Sequence, residues 1–176
     1  MDRNRRMFSP EARARVRDLR LVDELNVCDT SSERAHRYRH ASSMGTPLHG
    51  AVRVAEYVQD GMAPTRVVDA GRAIVGGETF EIASLPGRDL VVVVRTAADA
   101  AASVMRASGG GVFTASFAEA GFALDVGGRP QPRERFQPAA GWHEHVFSVP
   151  GAAISGTKTT LALRGRYASF YYWFFQ

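Results

Sequence analysis

The chain ends on an aromatic run, Tyr167–Gln176 (YASFYYWFFQ), in which seven of the ten residues are aromatic. Aromatic residues favour the pleated, half-buried surface of a β-strand, so the run predicts a strand. Because side chains alternate along a strand, both faces of this one would be apolar. Such a strand either lies between two packed layers or offers an aromatic surface to a partner. We expect the first arrangement, with Trp173 and the even-numbered aromatic residues sealing a core and Tyr171 near a surface.

Short strand-like runs fill most of the chain before this tail. After a first strand at 21–28, they lie at 52–58, 66–69, 79–83, 90–95, 112–117, 122–126, 143–149 and 159–163. Gly, Pro and Asp residues that form turns separate most of them, and the all-Val run 91–94 predicts a central strand. Many short strands with frequent turns predict an all-β fold, a jelly-roll β-sandwich of about 8–9 antiparallel strands. We expect one or two helical turns over 99–105.

The first 20 residues predict a basic helical appendage to a β-sandwich domain over 21–176. Ser9-Pro10-Glu11 is a typical helix start, with an N-cap, a proline at the first helical position and an acid in the first turn. Seven Arg against three acidic residues in this segment account for the net charge of +4. The rest of the chain carries 15 basic and 15 acidic residues, so we expect no nucleic-acid partner.

Two further features limit the class of protein. No apolar run approaches the roughly 18 residues that a membrane helix needs, and no secretory leader follows the N-terminal arginines. The single cysteine, Cys28, excludes an internal disulfide and a zinc site made of several cysteines.

The segment 29–40 contains the densest group of titratable side chains. If it forms a helical turn capped by Asp29 or Ser32, Glu33, His36 and His40 lie along one side. If it is extended, Tyr38 shares a face with both histidines. One hypothesis is a carboxylate–imidazole pair for acid–base chemistry, or part of a metal site. The alternative is that hydrogen bonds of Glu33 and His36 tie a loop to the sandwich.

Other candidate residues lie on the predicted strands. His143 and His145 share one strand face and could ligate a metal, although position 149 is Val where a cupin-type site needs Glu. Arg72, Glu78 and Arg95 lie near strand ends, where pairing between them would be structural more often than ligand-binding. Sugar recognition needs aromatic faces together with such polar groups, and Trp142 and Tyr171 could supply the faces.

Two sets of motifs resemble known families. Gly141–Pro150 (GWHEHVFSVP), followed by Ile154 and 159–163 (TTLAL), resembles the ending of galactose-binding-like jelly rolls, which include many carbohydrate-binding modules. The preceding stretch 122–129 (FALDVGGR) is similar to their strand and turn. Motifs around 32–38, 71–80 and 86–96, with the tail, look like extracytoplasmic β-sandwich domains of bacterial membrane sugar-transferase-like proteins. That resemblance implies an extracytoplasmic location if the chain is a fragment of such a protein, and a cytoplasmic one if it is complete.

We therefore expect a non-catalytic module that binds a carbohydrate or glycan-like ligand and needs no cofactor. The expected ligand-binding residues are Glu33, His36, Tyr38, His40, Arg72, Glu78, Arg95, Trp142 and Tyr171. The first alternative is a small β-sandwich enzyme that uses Glu33, His36 and His40. A divalent metal, if present, would be held by His36, His40, His143 and His145. The second alternative is a structural or assembly domain that forms a homo-oligomer through its aromatic C-terminal strand.

Overall fold

The computed structural model describes residues 6–42, 52–57, 65–97, 103–106, 112–115, 121–136 and 142–176. Two short helices, a 3-10 turn at Gly151–Ala153 and thirteen strands lie within these ranges. The helices are α1 (Pro10–Arg15) and α2 (Thr30–Ala35). The strands are β1 (Leu21–Asn26), β2 (Arg39–Ser42), β3 (Val52–Tyr57), β4 (Thr65–Ala70), β5 (Arg72–Ala83), β6 (Leu90–Ala97), β7 (Ser103–Arg106), β8 (Val112–Ala115), β9 (Gly121–Val126), β10 (Arg129–Pro130), β11 (Glu134–Arg135), β12 (Trp142–Val149) and β13 (Lys158–Phe175).

The last strand, β13, organises the sheet. Its first part pairs with β5 on one side and β9 on the other, and its last part pairs with β1 and β6. β2 extends this sheet beyond β5, and β12 extends it beyond β6, all in antiparallel register. β3 with β4, and β7 with β8, form separate hairpins. The helical turns expected over 99–105 are therefore wrong for 103–105, which belong to β7; residues 98–102 lie outside the described residues.

The tail and the run 159–163 form one strand of 18 residues, not the two that the sequence predicts. Gly165 keeps the chain extended between the two runs while β9 approaches closely. A Cβ atom on Gly165 would lie 2.0 Å from the carbonyl oxygen of Gly121, so only glycine fits there. The continuous strand passes from one layer of the sandwich to the other.

A β-bulge within β13 reverses the alternation of its side chains. The register against β6 shifts between Ser169 and Tyr171. Tyr167 lies in the main core before the shift, and Tyr172 and Phe174 lie in the same core after it. An extra residue at a bulge moves all later side chains to the opposite face. Strict alternation along the tail would place Tyr167 and Tyr171 on one face, and the bulge instead places them in different clusters on opposite faces.

The main core lies between two layers of strands that pack face to face. Phe80 on β5 contacts Tyr172 with ring centroids 4.9 Å apart, and Phe122 on β9 contacts Phe147 on β12 at 5.3 Å. These contacts join the β2-β5-β13-β9 layer to the β1-β13-β6-β12 layer. The predicted all-β sandwich is confirmed. None of the helices in the described ranges has the length and hydropathy to cross a bilayer.

The N-terminal segment covers the outer face of β13. Ala12 and Val16 of this segment are buried against Tyr171, Trp173 and Phe175. The peptide N–H groups of Phe8 and Ser9 donate to the Glu144 carboxylate of β12, at 3.0 and 2.9 Å from Oε2, and fix the start of α1.

This cover corrects two expectations about the tail. Tyr171 is only 1% exposed and stacks on Trp173 with ring centroids 4.5 Å apart, so its ring is buried in the cluster beneath the N-terminal segment. The last part of β13 has a strand on each edge and a packed layer on each face. It therefore presents no aromatic surface through which copies of the chain could associate.

Candidate functional site

Helix α2 forms the first half of the segment 29–40, which contains the densest group of titratable side chains. Its N-cap, Asp29, accepts hydrogen bonds from the N–H groups of Ser31 and Ser32, as expected. The helix ends where Arg37 adopts a left-handed conformation with φ of 50°, and the N–H of Tyr38 donates to the Glu33 carbonyl at 2.8 Å. This turn directs the chain into β2, so His36 ends a helix while His40 lies on a strand. The helical and extended interpretations thus each hold for part of the segment.

Glu33 is bound by an arginine from the sheet. The guanidinium group of Arg72 donates to both Glu33 carboxylate oxygens, at 2.8 and 2.9 Å, and the N–H of Cys28 donates to Oε1 at 3.0 Å. Burial raises the pKa of Glu33, but these donors outweigh it and hold the pKa below its ordinary value. Glu33 is therefore a structural anion that fastens α2 to β5, with both oxygens engaged.

His36 makes a second connection between α2 and the sheet. Its Nδ1 lies 2.7 Å from the Ser32 carbonyl oxygen, and its Nε2 lies 3.1 Å from Oδ1 of Asp23 on β1. The hydrogen bond that His36 Nε2 donates to the Asp23 carboxylate raises the pKa of His36, against the effect of burial. Burial raises the pKa of Asp23, but the bond to His36 and the N–H of Ala83 lower it overall.

These pKa shifts predict how the pair responds to pH. The raised pKa of His36 stabilises the fold below its ordinary value of 6.5, and this contribution is lost as pH rises through the folded-state value. The contribution of Asp23 to stability is present above its ordinary pKa of 3.8 and is lost as pH falls through its lowered folded-state pKa.

In an NMR titration of the His36 ring we expect a pKa above 6.5, which Asp23→Asn lowers and the distant Asp125→Asn leaves unchanged. An unchanged His36 pKa in Asp23→Asn would contradict the pairing.

Glu78 on β5 is buried in a cage of tyrosine hydroxyls. Tyr38 donates to its Oε2 at 2.7 Å, Tyr167 donates to its Oε1 at 2.7 Å, and Tyr172 makes a short bond to the same Oε1. Glu78 is 2% exposed, and this burial raises its pKa although the hydroxyl donors oppose the shift. Glu78 therefore links the segment that follows α2 to β5 and β13 inside the core.

An open cleft lies on the other side of the Glu78 backbone. It has a volume of about 390 Å³ and is bounded by β2, β5 and β13. We call it the β2–β5 cleft and define it by Arg39, His40, Gly76, Gly77, Thr79 and Arg164. Arg39 pairs with Thr79 across β2 and β5, and Gly77 pairs with Arg164 across β5 and β13. The two arginines thus stand on either side of a floor that carries no side chains at Gly76 and Gly77.

A second cleft of about 510 Å³ adjoins it along α2. Its lining includes Arg34, Arg37, Tyr38 and Arg39, so Arg39 belongs to both clefts. Arg37 pairs with Glu81 at 3.3 Å. Of the residues that the sequence singled out, Glu33, Tyr38, His40 and Glu78 contribute to the walls of this double cleft.

Arg95 lies elsewhere, in a buried ion cluster below the N-terminal segment. Its guanidinium group is 2.7 Å from Oδ2 of Asp69 and 3.3 Å from Oε1 of Glu144, and it also donates to the Arg6 carbonyl at 2.8 Å. The rings of Phe8 and Trp173 lie 5.0 Å from it. The suggested pairing of Arg72 and Arg95 with Glu78 is therefore wrong, because each arginine binds other carboxylates.

The two histidines of β12 form a third group at the end of the core. His145 lies 2.9 Å from Glu134, and both histidine rings pack against Phe136. Neither ring nitrogen of His143 has a hydrogen-bond partner among the described residues, and burial with the nearby His145 lowers the pKa of His143 to about 4. The Trp142 backbone is part of β12, but its side chain lies outside the described residues.

The four histidines considered for a metal fall into separate groups. His36 contacts Asp23, His40 lines the β2–β5 cleft, and His143 and His145 pack on Phe136. Within the described part of the chain, no three His, Cys, Asp or Glu side chains are placed to hold a metal ion.

Several side chains of these clusters and clefts were not predicted from the sequence. Asp23, Asp69, Tyr167 and Tyr172 complete the clusters described above through contacts distant in sequence. Arg39 and Arg164 were missed because one of 21 arginines carries no signal until the strand register places it. The glycine pair Gly76-Gly77 was the one local signal, since it marks a place without side chains.

No protein-family model matches the chain, and no curated protein matches it. Solved structures that resemble it include a carbohydrate binding module from Cellvibrio mixtus lichenase 5A in complex with cellotriose. That match has 9% identity and a TM-score of 0.45, and it covers 89% of this chain and 98% of that chain. A family 35 carbohydrate binding module from Clostridium thermocellum matches with 10% identity and a TM-score of 0.39, over 74% of this chain and 98% of that chain.

A larger protein also resembles the chain. It is a family GH115 4-O-methyl-alpha-glucuronidase with specificity for decorated arabinogalactans, at 11% identity and a TM-score of 0.47. The match covers 90% of this chain, which spans 18% of the glucuronidase chain. The two binding modules belong to the class of domain that the C-terminal motifs resemble. Because the TM-scores are low, the ligand of this chain does not follow from these likenesses, and the link to membrane sugar-transferase-like proteins stays a prediction.

Proposed function

We propose that the chain is a non-catalytic β-sandwich module that binds a carbohydrate in the β2–β5 cleft. The observation that carries this proposal is the cleft itself, an open site of about 390 Å³ with a bare glycine floor between two arginines. Sites for small ligands have volumes of roughly 300–1,000 Å³ and use a few convergent polar groups for orientation.

The side chains around the cleft suit the chemistry of sugars. Neither Arg39 nor Arg164 makes a side-chain hydrogen bond or ion pair within the described ranges, so their N–H groups are available to a ligand. Thr79 supplies a hydroxyl group, and sugar hydroxyls both donate and accept hydrogen bonds. The adjoining cleft adds Tyr38 and Arg37, which supports a ligand longer than one sugar ring.

The hydrogen bonds of Glu33 and His36 support a role in binding without catalysis. Both oxygens of Glu33 are held by Arg72, and both ring nitrogens of His36 are engaged by Ser32 and Asp23. An acid–base group must reach the proton that it transfers, and these atoms are committed to holding α2 on the sheet. Their role in our proposal is to shape one wall of the double cleft.

The proposal is tested by titrating the isotope-labelled protein with a panel of neutral and acidic oligosaccharides while backbone amide shifts are recorded. We expect saturable binding to at least one oligosaccharide, with the largest shifts at Gly76, Gly77, Thr79 and Arg164. The exposed turn at Gly127 and Gly128 serves as the internal control and should not shift. A panel without any binder, or shifts centred on other strands, would overturn the proposal.

A further inference from the structure

The double cleft carries more positive than negative charge. Arg39 and Arg164 stand at the β2–β5 cleft, and Arg34 and Arg37 stand at the adjoining one. All four side chains are exposed. Only Arg37 is paired within the described ranges, with Glu81, which also accepts from Lys158 at 3.1 Å. The other three guanidinium groups have no carboxylate partner among the described residues.

The two carboxylates in the walls do not offset this charge. Glu33 is neutralised by the two hydrogen bonds from Arg72. Glu78 faces the core, where it is 2% exposed and receives three tyrosine hydroxyls. Among the described lining residues, an anion in the cleft therefore meets guanidinium groups and no competing exposed carboxylate.

The floor between the arginines permits close approach. Gly76 has φ of 127°, a conformation that other residues rarely adopt, at the point where Ser42 pairs with both Gly76 and Val75. Gly77 follows directly opposite Arg164. Because the two glycines carry no side chains, a sugar ring can approach the strand while the arginines reach its substituents, and the stem of Arg164 lies beside Gly77, with Cγ 3.3 Å from the position of a Cβ atom. Planar guanidinium groups match carboxylate and sulfate oxygens in pairs.

We propose that the ligand of the β2–β5 cleft is an acidic saccharide, whose carboxylate or sulfate groups are bound by Arg39 and Arg164. This inference rests on the carbohydrate-binding function proposed above and specifies its ligand class. The anion bridges the two arginines over Gly77, and the sugar ring contacts the glycine floor and Thr79. Arg34 and Arg37 extend the positive surface for further acidic units.

The test uses pairs of oligosaccharides with the same sugar backbone, in which one member carries more anionic groups than the other. One pair is an oligogalacturonate and its fully methyl-esterified form, and the other is a heparin-derived oligosaccharide and its desulfated form. Isothermal titration should show that the acidic member of at least one pair binds at least about tenfold tighter, with a preference that shrinks as salt is raised. The carboxylate and sulfate pairs distinguish the two sources of anionic charge.

Variants of the cleft arginines test whether the preference for acidic oligosaccharides arises in the β2–β5 cleft. Arg39→Gln and Arg164→Gln should each weaken binding of the acidic member by about tenfold, because each removes charge-assisted hydrogen bonds. Arg166→Gln is the matched control, since Arg166 is an exposed arginine two residues along the same strand and does not line the cleft. It should bind like the unmodified chain.

Each other outcome overturns the inference in a recognisable way. Equal affinity for both members of each pair would leave carbohydrate binding intact and exclude recognition of the acidic groups. Failure of every saccharide to bind would remove the proposed function as well. A charge preference that survives in the Arg39→Gln/Arg164→Gln double variant would place the site elsewhere. Equally tight binding of single-stranded DNA would indicate a general polyanion surface.

Discussion

Replacing Arg95 by alanine is expected to lower the free energy of unfolding by about 3–5 kcal/mol, because buried charges lose their partner. Arg95 is 0% exposed and binds Asp69 and Glu144, whose side chains are 3% and 0% exposed. Removing the guanidinium group leaves two buried carboxylates without the positive charge that compensates them. It also removes the cation between the Phe8 and Trp173 rings and the donor to the Arg6 carbonyl.

Urea unfolding at neutral pH measures this loss. The control is Arg164→Ala, which removes an exposed arginine from β13 and should change stability by less than about 0.5 kcal/mol. Arg95→Lys keeps the charge and should cost less than Arg95→Ala, which gives a graded result if the alanine variant fails to fold. The loss of unfolding free energy in Arg95→Ala should be smaller at acidic pH, where the carboxylates of Asp69 and Glu144 bind protons. A loss below about 1 kcal/mol would show that the cluster is not structural.

Placing a charge at Ala12 is expected to release the N-terminal segment from the sheet. Ala12 is 0% exposed and packs in the cluster of Tyr171, Trp173 and Phe175. An aspartate there must either be buried without a partner or detach α1, and burial of an unpaired carboxylate costs several kcal/mol. We therefore expect Ala12→Asp to detach the segment and expose the outer face of β13.

Hydrogen exchange and limited proteolysis measure this detachment. In Ala12→Asp, residues 6–16 should exchange quickly and become sites of cleavage, while the amides of β5 and β9 stay protected. Ala14→Asp is the matched control, because Ala14 is exposed on the same short helix and receives the same charge. Unchanged protection of residues 6–16 in Ala12→Asp would contradict the packing described for α1.

Local patterns predicted the class of fold, since alternation, turn residues and capping act over a few neighbouring positions. Asp29 caps α2 as expected, and the tail is buried as expected. The faces of the tail could not be predicted, because the bulge at Ser169–Tyr171 arises from pairing with β6. No property of the tail sequence marks the inserted residue.

The candidate site was predicted only where its contacts are local. Glu33 lies on α2 and Tyr38 lies in the turn that follows it, and both line the cleft along α2. Arg39 and Arg164 meet around Gly77 only through the registers of β2, β5 and β13. Likewise, the partners of Glu78 and Arg95 come from distant strands, so their burial was visible only in the folded chain.

Filling the β2–β5 cleft with a larger side chain should weaken carbohydrate binding. Thr79 lines the cleft on β5, and tryptophan favours strands, so Thr79→Trp should occupy the site while stability changes by less than about 1 kcal/mol. Thr160→Trp is the matched control, because Thr160 is an exposed strand residue that does not line the cleft. In a titration with the best oligosaccharide of the panel, we predict that Thr79→Trp loses at least about tenfold in affinity and Thr160→Trp loses none. Unchanged affinity in Thr79→Trp would contradict binding in this cleft.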